Sequence, residues 1–172
     1  MACWNVIDHE ELTGSAASWT SVTIPSTYDH LHLVVSARTD QSADYSASLI
    51  QFNGDTGGNY SSTEFYTFSS FALSQGRTNG ISAIGYPMLS GATTTADTFG
   101  MMDVWIPNYA NTSLFKSLTC NSAAVNTDST SGNHQSRFTA GMWSSTAAIT
   151  SVTVLPNSGN LVQYSSFTLY GI

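Results

Sequence analysis

The residues able to do chemistry in this 172-residue chain are four histidines, eleven acidic side chains and two cysteines. His30 and His32 stand two apart in a run that reads as a strand. Side chains two apart on a strand face the same way, so both imidazoles belong to one face. Such a pair offers two corners of a zinc site, but zinc needs a third and usually a fourth ligand. The plainer reading is a hydrogen-bonded pair on a sheet face or contact surface, beside Tyr28 and Asp29. His9 and His134 stand apart from it. The turn from Asn53 to Asn59 concentrates oxygen donors among glycines, as calcium prefers, yet its spacing is not that of an EF-hand loop. It reads as a tight turn whose Asn and Asp side chains bond their own backbone. No metal or other cofactor is expected.

Catalytic signatures are missing. There is no Gly-x-Ser-x-Gly elbow and no phosphate-cradling loop. Asp103 sits inside the apolar run Met101-Met102-Asp103-Val104-Trp105, where a sheet-face residue bonded to a neighbour is the ordinary outcome. Cys3 and Cys120 form no C-x-x-C and too few pairs for a disulfide scaffold, so a reduced pair is expected. Trp4, Trp19, Trp105, Trp143 and eight tyrosines serve as core and interface anchors or, if exposed on loops, as stacking surfaces for sugars. Tyr60, Tyr86 and Tyr109 are the loop candidates for that second use.

These residues must be positioned by strands, because nearly every segment reads in period two. Leu31, Leu33, Val35 and Ala37 share one face, and His32, Val34, Ser36 and Arg38 share the other. Further strands are expected at 4–7, 17–24, 45–52, 64–71, 80–85, 98–106, 113–121, 137–143, 148–154 and near 166–169. Gly, Asn and Pro clusters such as Gln75-Gly76, Pro107-Asn108 and Ser131-Gly132-Asn133 punctuate them. Two stretches, 85–97 and 125–135, look long enough to cross between sheets. The expectation is one all-β domain over 1–172, a jelly-roll-like antiparallel β-sandwich of about ten strands.

Composition narrows the partners. Only 9% of residues are charged, and the net charge is −7 with four basic side chains, Arg38, Arg77, Lys116 and Arg137. A groove for nucleic acid needs clustered cations, so neither nucleic acid nor an anionic membrane is expected as a partner. The start MACWNVIDHEELTG lacks the basic and apolar regions of a secretory signal, so no signal peptide is expected.

Several blocks, in order, carry a resemblance. They are Ile24-Pro25-Ser26-Thr27-Tyr28-Asp29-His30-Leu31, Phe52-Asn53-Gly54-Asp55 with Asn59-Tyr60, and Ile106-Pro107-Asn108-Tyr109-Ala110-Asn111. Gly141-Met142-Trp143 with Thr146-Ala147-Ala148-Ile149-Thr150-Ser151, and the terminal Phe167-Thr168-Leu169-Tyr170-Gly171-Ile172, complete the set. In these the chain resembles the small jelly-roll virion proteins of tailed phages. The resemblance implies a bacteriophage structural protein without enzymatic activity. Its expected role is a capsid decoration (cement) protein, a homotrimer on the outer capsid surface that stabilises contacts between capsomers of the major capsid protein. The alternative it implies is the receptor- or carbohydrate-binding head of a tail fibre, with a host glycan as partner.

Overall fold

A computed structural model describes residues 3–67, 73–127 and 135–172. Among these residues there are twelve strands and no helix. The strands are β1 (Asn5–Glu11), β2 (Trp19–Thr20), β3 (His30–Ala37), β4 (Tyr45–Phe52), β5 (Tyr60–Thr67) and β6 (Leu73–Ile81). Then follow β7 (Ile84–Ser90), β8 (Gly100–Pro107), β9 (Lys116–Ala124), β10 (Gln135–Trp143), β11 (Val152–Pro156) and β12 (Ser166–Gly171). All strand pairs are antiparallel.

Eight of the strands trace a jelly roll. β1 pairs with β12, β2 with β11, β3 with β8 and β4 with β7, which is one long antiparallel ribbon. Successive rungs of the ribbon fall alternately into two sheets, β1-β12-β3-β8 and β2-β11-β4-β7. The first and last strands are therefore neighbours, with Asn5 opposite Gly171. Two further hairpins are inserted. β5–β6 lies between β4 and β7 in sequence, and β9–β10 lies between β8 and β11. Both join the first sheet beyond β8, extending it to eight strands in the order β1-β12-β3-β8-β9-β10-β5-β6.

Alternation places the core between the sheets. β10 reads buried and exposed in strict turn, and β4 alternates buried with half-buried residues. A single apolar cluster runs from Leu31, Leu33 and Val35 through Ile50, Phe52 and Ile84 to Phe167 and Leu169. Trp19 stacks on Phe167 across the sheets at 4.9 Å. β7 packs over β8, β9 and β10. Two glycines allow that approach. A Cβ on Gly100 would lie 2.6 Å from the Ser90 nitrogen, and one on Gly141 would lie 2.7 Å from Ile84.

Several expected boundaries differ. The strand expected at 17–24 shrinks to Trp19–Thr20, because Ser21 and Ile24 instead bond the backbone of Val152 and Thr150 outside regular ladders. The stretch 80–85 divides between β6 and β7, and β7 occupies the first half of 85–97, so the crossing to β8 in the other sheet takes residues 91–99. Gln75-Gly76 is strand rather than turn. The connection from 125 joins neighbours of one sheet, and its Ser131-Gly132-Asn133 turn lies outside the described residues, as does His134.

Gly100→Ala is expected to cost about 1–3 kcal/mol by overpacking against backbone that has no rotamer to yield. Gly14→Ala meets nothing within 4 Å and is expected to stay within about 0.5 kcal/mol of the parent. Urea unfolding of the two variants checks the contrast.

Candidate functional site on the open face of the large sheet

The inward side chains of β3 are Leu31, Leu33, Val35 and Ala37, all buried. His30, His32, Val34 and Ser36 consequently point outward, as the period-two pattern requires. Register brings β8 and β12 alongside. His32 lies opposite Trp105 and Tyr170, and Val34 opposite Asp103. His32 Nε2 donates to Asp103 Oδ1 at 3.0 Å, since an ionised carboxylate only accepts. The edge of Trp4 meets the His32 ring at 4.7 Å and Tyr170 at 5.5 Å. His30 lies 5.5 Å from Trp105, and its Nδ1 accepts the Asn108 N–H at 3.3 Å. His32 is buried by these rings, whereas the Asp103 side chain is 45% exposed. Among the described residues no protein group hydrogen-bonds His32 Nδ1. The two histidines thus share a face, and that face also gathers Asp103, Trp105, Tyr170 and Trp4. Chemically, the cluster stacks and accepts hydrogen bonds. Among the described residues no three His, Cys, Asp or Glu side chains gather as a metal site requires.

The inserted hairpins continue the same face. Phe138 on β10 lies directly opposite Phe65 on β5, and Met101 on β8 lies opposite Ala123 on β9. Phe65, Met101, Phe138 and Met142 are between 38% and 49% exposed. A groove of about 440 Å³ runs among Phe65, Met101, Ala123 and Phe138. Across the outward positions of β3, β8, β9, β10, β5 and β6 the charged side chains are Asp103 and Arg77.

The basic side chains are largely spent inside. The Arg38 guanidinium donates to the carbonyls of Ala92, Thr94, Thr95 and Thr98. Lys116 is buried and donates from Nζ to the Leu114 and Thr146 carbonyls, and burial pulls its ammonium below the usual lysine range. Arg137 pairs with Glu64 inside the sheet overhang and lies over the Tyr66 ring at 4.3 Å. Arg77 is the basic side chain left exposed.

Two of the three loop tyrosines are corrected by burial. Tyr60 and Tyr109 are core residues at 1% and 0% exposure, so neither offers a ring to a ligand. The Tyr60 hydroxyl accepts the Phe52 N–H and donates to the Asp55 carbonyl. That of Tyr109 donates to the Pro25 carbonyl. Tyr86 is 37% exposed at a positive φ of 78°, with its ring centroid 5.8 Å from the Arg137 guanidinium. A bulky residue there is a strained exception. Cys3 is exposed and Cys120 buried, both as free thiols.

The 53–59 turn is closed by its own protein donors. Asp55 accepts from Trp143 Nε1 at 2.7 Å, Asn59 Nδ2 at 2.9 Å and the Gly57 N–H at 2.8 Å. The Trp143 bond above all, then those of Asn59 and Gly57, holds its carboxyl below the usual aspartate range. Trp143 sits 88 residues away in sequence, so local spacing carries no sign of this partner. A depressed carboxyl stabilises the fold above its unfolded pKa and loses that contribution as pH falls through the folded one. Asp55→Asn is therefore expected to lower the melting temperature at pH 7 and to weaken its decline below pH 4, as thermal melts across pH would show.

No family model matches this chain, and no curated protein sequence matches it.

Proposed function

We propose that this protein is a structural component of a bacteriophage virion, a decoration protein that docks on the outside of the shell and braces contacts between capsomers of the major capsid protein. The observation that carries the reading is the open face of the eight-stranded sheet. It is broad, nearly uncharged and studded with half-exposed Phe and Met, in a chain whose net charge is −7. Interface centres are depleted of charge and enriched in aromatic residues and Met, as this face is. The sandwich beneath it suits bracing, since close-packed cores deform little. Bound copies stabilise an assembled shell by mass action, without chemistry.

Quantitative mass spectrometry of purified particles tests the role. The expected result is a copy number in the hundreds, comparable with capsomer number, and particles lacking the protein should rupture at lower temperature. A handful of copies confined to the tail would instead favour a receptor-binding head. One feature supports that second reading, namely the Trp4, Trp105 and Tyr170 rings grouped around His32, which bonds the half-exposed Asp103 carboxylate. Aromatic rings beside an exposed acceptor suit a sugar ring. A glycan array bears on it, with binding expected to be lost in Trp105→Ala.

A further inference from the structure

We infer that Asn79-Gly80, at the bulge of the edge strand β6, is a self-modification site, where the asparagine converts to aspartate and isoaspartate without an enzyme.

The step needs only water and hydroxide. Hydroxide removes the proton of the Gly80 backbone nitrogen, which attacks the Asn79 side-chain carbonyl carbon. A nitrogen–carbon bond forms there, the side-chain amide bond breaks, and ammonia leaves. Water then opens the five-membered imide. Cleavage at the side-chain carbonyl gives aspartate in an ordinary backbone. Cleavage at the main-chain carbonyl gives isoaspartate, whose backbone runs through the side chain. Nothing is oxidised or reduced. Glycine is the least hindered residue to follow the asparagine, since it has no Cβ and turns most freely.

The chain has two Asn-Gly steps, Asn53-Gly54 and Asn79-Gly80, and the fold treats them oppositely. A Cβ on either glycine would meet nothing within 4 Å, so the asparagine side chains decide. Asn53 is held at both ends of its amide. Its Nδ2 donates to the Ala148 carbonyl at 2.8 Å, and its Oδ1 accepts the Thr150 N–H at 2.7 Å and the Ser151 N–H at 3.2 Å. Asn79 is exposed, and among the described residues nothing hydrogen-bonds its amide. An unbroken ladder would hold the backbone extended and keep the Gly80 nitrogen away from the side chain. The ladder breaks at this point. Asn79 pairs with Ser61 and Ile81 with Tyr60, so Gly80 is the extra residue of a bulge, at a φ of 67°. β6 is also the last strand of its sheet, with β5 as its one ladder neighbour.

Arg77 adds an electrostatic reason. It lies two residues before Asn79 on the same outward side, is exposed, and pairs with no carboxylate among the described residues. A guanidinium there favours the anionic nitrogen that attacks and then the carboxylate that forms. Conversion adds a negative charge to a face whose charged outward side chains are Asp103 and Arg77.

Peptide mapping of the folded full chain, aged in mildly alkaline buffer, tests this. Trypsin cuts after Arg38, Arg77 and Lys116, which puts the two Asn-Gly steps on separate peptides. The peptide that begins at Thr78 is expected to gain the mass of an amide-to-acid change more than about tenfold faster than the one carrying Asn53, because Asn53 must first lose its hydrogen bonds. Isoaspartate is expected at position 79, and the rate is expected to rise with pH, since the attacking nitrogen must lose a proton. In concentrated urea the gap should close, because the same dipeptide then has no fold around it. Asn79→Gln lengthens the ring that must close, so it should abolish the conversion while leaving Asn53 as it was. A folded chain in which Asn79 persists, in which Asn53 converts as fast, or in which conversion ignores pH would overturn the inference.

Discussion

Antiparallel pairing between the two ends of the chain is the constraint on which the rest depends. β1 needs β12, β2 needs β11 and β3 needs β8, so no rung of the ribbon closes until distant residues have met. Such contacts require loop closure before they reward it, and folds built this way form slowly compared with local ones. The ribbon also decides which sheet receives the insertions. β5–β6 and β9–β10 both add beyond β8, leaving the smaller sheet at four strands. One sheet is therefore twice the width of the other, and among the described residues no layer lies over its outer face.

The overhang explains the molecule's unusual use of charge. Where the wide sheet runs past its partner, the inner positions of β10 and β5 carry Arg137 and Glu64 instead of aliphatic residues. Removing one member of such a buried pair strands the other, at a typical cost of about 3–5 kcal/mol, whereas replacing both by apolar residues is often harmless. Gly76 belongs to the same arrangement, since a Cβ there would lie 2.6 Å from Glu64 Oε1. Arg38 and Lys116 are likewise consumed by carbonyls. The surface is left acidic by withdrawal of cations as much as by excess of carboxylates.

Much of the architecture was legible because burial follows period two. Tyr45–Phe52 alternates so regularly that its expected and observed limits coincide. The shared face of His30 and His32 follows from the same rule. Gly76 misled because a glycine signals a turn in sequence, whereas here it clears space for a neighbour's carboxylate. Tyr60 and Tyr109 misled because turn residues flank them, while their rings swing into the core and only their hydroxyls reach backbone. The aromatic ring about His32 was not legible, since Trp4 and Tyr170 come from opposite ends of the chain. Nor was the Asp55–Trp143 bond, which depends on β5 and β10 being neighbours.

The pairing of Asn5 with Gly171 sets the two ends of the strand ladder side by side. A domain with adjoining ends can be spliced into a surface loop of another protein without stretching its host. It can also be closed by a short linker and reopened at a different loop with its sandwich undisturbed. β1 and β12 lie at one edge of the wide sheet, while Phe65 and Phe138 lie on strands beyond β8. A segment joined to β1 or β12 would therefore ride at one margin of the wide sheet, clear of the Phe65–Phe138 pair.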